Sequence, residues 1–181
     1  MSNINDDPLY SKNVLEMITV ANEFCLFLEE AEKYEKPFFL SYFQKICPLL
    51  YLKGSLLPVI TVSDENANER FVNEEQWEII FQSVKNILKE DDEYWHSKSV
   101  SKTELEPLKG SIAENLADIY QDMKDFIFLY QKNSRAAKEN AVQECKRLFE
   151  SHWGYICIQI QKTIHHLLYK EKMTDETPDI F

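Results

Sequence analysis

Glycine is nearly missing from this chain, with three residues in 181. An all-β fold needs many tight turns, and a dinucleotide-binding fold needs a glycine-rich loop after its first strand, so both are excluded at this composition. Paired cysteines are missing as well. Cys25, Cys47, Cys145 and Cys157 stand far apart, none in a C-x-x-C pair or clustered with histidine, so neither a zinc site nor a redox motif is expected. Each falls among apolar residues, where a reduced thiol packs as a small hydrophobe. Lysine and arginine form no cluster, and a net charge of −11 would repel a phosphate backbone, which excludes nucleic acid as a partner. No apolar run approaches the length needed to cross a bilayer, and the opening "MSNINDDPLY" has neither the basic start nor the apolar stretch of a leader. A cytoplasmic protein without a membrane partner is expected.

What is present is apolar surface. At 44% hydrophobic and 13% aromatic residues, the chain can build one domain with its own core and is too short for two ordinary ones. Periodicity of three and four places the first helix over about Ser11 to Tyr34, with Val14, Met17, Ile18, Ala21, Cys25 and Leu28 inward and Ser11 as its cap. A second helix opens near Pro37 and is apolar on nearly every side, which predicts a central position; Pro48 predicts a kink, and Gly54 with Pro58 its end. The stretch "TVSDENANERFV" reads as a connection. Asn73 and Gln76 form a capping-box pattern for a third helix reaching about Lys89. Residues 90–110 are too long and too aromatic for a simple link and are expected to be a lid or a segment docked on the core. Ser111 and Glu114 open a fourth helix through about Gln131, and a fifth runs from Ser134 to about Tyr169. The expected fold is all-α, an up-and-down bundle of about five helices over residues 1–170, with an acidic, frayed tail over 171–181.

The fourth helix carries Glu114, Asp118, Asp122 and Asp125 in one narrow sector. Like charges at this spacing cost only about 0.2–0.5 kcal/mol per pair, so the row can be a solvated face; hard cations also favour oxygen ligands, so it can equally recruit Mg²⁺. The E-x-x-E of Glu75 and Glu78 followed by Glu114 and Asp118 resembles the paired acidic motifs of MazG-type nucleotide pyrophosphohydrolases, an all-α family. It differs in having Asn115 at the second motif's glutamate position and a four-residue spacing. That resemblance implies Mg²⁺ on Glu75, Glu78, Glu114 and Asp118, with Asp122 adjoining; otherwise no cofactor is expected.

His152 lies on the apolar face of the fifth helix beside Trp153, and a buried histidine there requires a tyrosine, carboxylate or backbone partner, or else serves as a base or ligand near Asp118 or Asp122. His165 and His166 read as surface or rim residues. Gly154 costs about 1 kcal/mol within a helix, to be offset by a close helix approach, a kink or a bend that opens a pocket. Tyr94, Trp95 and His96 could cover such a pocket beside His152 and Trp153, or dock on the core as a plug.

Taken together, "VANEFCLFLE", "PLLYLKGSLLP", "ENLADIYQDMKDF" and "HWGYICIQI" resemble the bacterial family known as domain of unknown function 5063. This implies a compact all-helical intracellular protein and brings no activity or catalytic residues. The resulting expectation is a non-enzymatic binding module for a partner protein or small ligand, with self-association left open. The alternatives are the Mg²⁺-dependent pyrophosphohydrolase and a chaperone-like binder of apolar peptides using the second helix, Tyr94 and Trp95.

Overall fold

The structure, a computed structural model, describes residues 7–99 and 105–174. The elements are α1 (Lys12–Glu29), α2 (Lys36–Ser55), α3 (Glu74–Leu88), β1 (Glu93–Ser99), β2 (Leu105–Ser111), α4 (Ile112–Gln131), α5 (Arg135–Leu148) and α6 (Gly154–Thr174). One π turn, Phe149–Trp153, joins α5 to α6 without leaving helical backbone, so the two are the single long fifth helix of an all-α bundle. That helix continues past Tyr169 to Thr174; the rest of the expected tail, 175–181, lies outside the described residues.

The centre of the bundle is α4, packed against α1, α3, α5 and α6. Its Ile112, Leu116, Ile119, Met123, Phe126 and Ile127 are buried, as are Ala113, Ala117 and Leu129 around the rest of its circumference. The expectation that α2 is central is corrected: α2 packs on α1 and α6, while Leu49, Leu52 and Leu56 point to solvent. An all-round apolar sequence indicates burial only where neighbours exist on all sides, and α2 lies at the edge.

Two local problems in α2 are solved by the long fifth helix, one by α6 and one by its π turn. Pro48 has no N–H, so the Gln44 carbonyl loses its helical donor; Gln161 Nε2 supplies one at 3.1 Å. Gly54 leaves room for Trp153, whose Cη2 would lie 2.2 Å from a Cβ there. Trp153 is fully buried, meets the Phe149 ring edge-on at 5.0 Å and donates its indole N–H to the Cys145 carbonyl. Gly154 answers a backbone demand, because a Cβ would sit 2.4 Å from the Phe149 carbonyl oxygen inside the π turn. The close helix approach is therefore made at Gly54, and Gly154 serves the widened turn.

Two departures concern helix ends. Ser11 precedes α1 but makes no side-chain capping bond, and α1 stops at Glu29, followed by the 3₁₀ turn Ala31–Lys33. After α3, which has the expected Asn73–Gln76 capping box, Lys89 takes φ 54° and turns the chain sharply. Within the segment expected as a lid or plug, β1 and β2 pair antiparallel, with Tyr94 opposite Gly110 and His96 opposite Leu108; residues 100–104 lie outside the described residues. Pro107 argues against a strand in a sheet interior, but in a two-stranded ribbon it needs no second partner. Asp92 fixes the base of this hairpin, accepting from Ser111 Oγ and from the Ala113 N–H at the start of α4.

Candidate functional site

The acidic row of α4 is neither a wet face nor a set of free ligands. The solvated reading holds for Glu114 alone, which is exposed in the first helical turn. Asp118 accepts the indole N–H of Trp77 at 2.9 Å. Asp125 accepts the backbone N–H groups of Phe71 and Val72 at 2.7 and 2.9 Å. Asp122 is buried and meets His152 Nδ1 at 3.0 Å. Burial pushes all three carboxyls above their ordinary range, against the opposing pull of Trp77 on Asp118, His152 on Asp122 and the backbone amides on Asp125. Asp118, Asp122 and Asp125 are anchors, each holding a different neighbour against the central helix.

What Asp125 holds is part of a strap over residues 57–73 that crosses α4 and α5. Ser63 binds Glu139 through both its N–H and its hydroxyl, Asn140 donates to the Asp64 carbonyl, and Gln143 receives the Ile60 N–H. Lys146 donates to the Leu57 carbonyl. Side chains of α4 and α5 thereby satisfy backbone groups that have no ladder of their own.

His152 is not the buried residue expected: its side chain is 41% exposed, because Trp153 takes the inward position of the π turn. The bond to Asp122 fixes one ring nitrogen, leaving Nε2 for solvent. Glu75 and Glu78 are exposed on α3, and Glu78 accepts from Gln82. Among the described residues no group of three or more His, Cys, Asp or Glu side chains is placed to hold a metal ion. Trp153 also cannot line a pocket with Trp95, being enclosed by Gly54 and Phe149.

Tyr94 and Trp95 diverge, as neighbours in a strand must. Tyr94 is buried, lies over Gly110 and takes a hydrogen bond from Asn115 at 2.5 Å. Trp95 is 71% exposed. Between this strand and α6 lies a cleft of about 450 Å³ lined by Glu93, Tyr94, Trp95 and His96 on one side and by Gln159, Lys162, Thr163, His165, His166 and Leu167 on the other. Gln159, Lys162, Thr163 and His166 follow helical spacing and form one ridge of α6. Three of the four histidines in the chain thus meet in one place, two of which sequence reading leaves on the rim. The ridge itself is visible in the sequence; its opposing wall is not, because it depends on the hairpin folding back.

The sequence profile of the family described as Domain of unknown function (DUF5063) matches residues 8–170. The chain belongs to this family. A solved structure of similar architecture is the crystal structure of protein BF1032 from Bacteroides fragilis, at 34% identity and a TM-score of 0.80, with 97% of this chain and 99% of that one covered. No curated protein matches the chain. The family description names no activity, so the match secures the fold and leaves function to the geometry. No helix among the described residues is long and apolar enough to cross a membrane.

Proposed function

We propose that this protein is a binding module that takes a small ligand into the cleft between β1 and α6. The observation that carries the reading is the cleft: its volume falls in the range of small-molecule sites, and it combines an exposed indole with several polar groups. A non-catalytic role is supported by the state of the nucleophiles. Burial pushes the Cys25 and Cys145 thiols up, away from the reactive thiolate; the neighbouring Cys157 thiol, and then burial, does the same to Cys47, and Ser151 donates back to the Arg147 carbonyl. Of the four carboxylates of the pyrophosphohydrolase reading, Asp118 is engaged by Trp77, and the adjoining Asp122 holds His152.

Screening small compounds by thermal unfolding tests the proposal. A ligand at a hundred times its dissociation constant adds about 2.7 kcal/mol, a shift of several degrees. Hits should vanish in Thr163→Trp, which fills the cleft; hits that persist unchanged in that variant would contradict the reading.

A second reading, docking of another protein on α2, is favoured by the exposed stripe of Leu49, Leu52 and Leu56 beside a furrow of about 210 Å³ lined by Pro48, Tyr51, Cys157 and Ile158. Self-association by this face predicts a concentration-dependent mass in light scattering that Leu52→Glu abolishes. A monomer at all concentrations would count against a second copy as the occupant.

A further inference from the structure

The cleft is less acidic than the molecule as a whole. The chain carries 31 acidic against 20 basic side chains, yet the cleft wall presents Lys162, His96, His165 and His166 against the single carboxylate of Glu93. Glu93 is itself paired with Lys109 at 2.6 Å across the hairpin. His96 is oriented: Gln159 Nε2 lies 3.3 Å from its Nδ1, and with the amide donating, the ring proton sits on Nε2 as a hydrogen-bond donor. His165 is steadied by the Tyr169 ring at 4.8 Å. The cleft therefore offers donors and positive charge on its α6 side and a flat exposed indole on its β1 side.

We propose, resting on the cleft as the binding site, that its ligand is an aromatic anion: a flat ring lying on Trp95, with an oxyanion, carboxylate or phosphate, received by Lys162, His165 and His166. A net charge of −11 disfavours the approach of any anion, so an anionic ligand depends on the donors gathered in the cleft, Lys162 foremost. Indole faces bind flat rings, and ammonium and imidazole donors bind oxyanions most strongly where charge assists the hydrogen bond.

The test is calorimetric titration of the full chain with 2-naphthyl phosphate, 2-naphthoate, 2-naphthol and inorganic phosphate, repeated for Trp95→Ala and Lys162→Gln. Both positions are exposed, so both variants should fold. The expected result is that at least one naphthyl anion binds about tenfold or more tightly than 2-naphthol and than inorganic phosphate. Lys162→Gln should remove most of that preference without weakening 2-naphthol, and Trp95→Ala should weaken every naphthyl compound. The better of the two anions identifies the oxyanion. Equal affinity for naphthol and both anions, all lost in Trp95→Ala, would overturn the anion preference and leave the cleft as the site. Binding unaltered by Trp95→Ala, or no binding of any probe, would overturn both.

Discussion

Asp125 serves two backbone amides of the strap while half-buried, and its carboxyl is held above the ordinary range by desolvation. The two effects separate in different variants. Asp125→Ala leaves the Phe71 and Val72 N–H groups without their acceptor and should destabilise by about 1–3 kcal/mol in chemical denaturation. Asp125→Asn retains an acceptor oxygen and cannot ionise, so it should cost much less at neutral pH. The pH dependence has a definite sign. A carboxyl raised in the folded chain holds its proton more tightly there than in the unfolded chain, so its contribution is present below the unfolded value of about 3.9 and lost as pH rises through the folded value. The stability of the wild type relative to Asp125→Asn should therefore fall as pH rises above about 4. A difference that grows with pH would show that the amide bonds outweigh the burial.

At the scale of the element, the long fifth helix depends on its π turn and on the glycine that closes it. Replacing glycine by alanine inside a helix ordinarily stabilises by about 1 kcal/mol. Gly154→Ala should reverse that sign and destabilise by about 1–3 kcal/mol, since the added carbon meets the Phe149 carbonyl oxygen at 2.4 Å. A stabilised variant would mean that the turn relaxes to ordinary α-helix without loss. The partnership of Pro48 and Gln161 is open to a double-mutant cycle. Gln161→Ala should cost more with Pro48 present than in a Pro48→Ala background, where a restored N–H takes over the Gln44 carbonyl. A coupling of about 0.5–1.5 kcal/mol is expected, and additive effects would show that the side-chain bond contributes nothing.

These elements also mark what periodicity can convey. All five helices follow from apolar spacing and capping patterns, because helix formation is written in residues three and four apart. The hairpin is hidden because Pro107 and the adjacent Tyr94 and Trp95 suggest a loop, and its pairing joins residues up to 18 positions apart, Glu93 to Ser111. The acidic row is visible as a geometric fact, but Trp77, His152 and the strap amides that explain it come from α3, the π turn and the 57–73 segment. Nothing local distinguishes a carboxylate facing water from one awaiting a distant donor.

At the scale of the whole molecule, the anchored acidic residues allow α4 to be the centre although it carries charge, while the more apolar α2 remains at the edge. The family profile across residues 8–170 and the similar architecture of the Bacteroides fragilis protein place this arrangement in a defined fold. They leave three surfaces to choose among: the half-exposed His152 beside Asp122, the leucine stripe of α2, and the cleft between β1 and α6. The cleft combines volume, an exposed ring and a cluster of hydrogen-bond donors. The most direct measurement is chemical-shift mapping of the ¹⁵N-labelled protein titrated with 2-naphthyl phosphate. The account predicts saturable shifts concentrated at residues 93–96 and 159–167, with the indole N–H of Trp95 among the largest. Shifts centred on His152 and Asp122, shifts along α2, or none at all would contradict it.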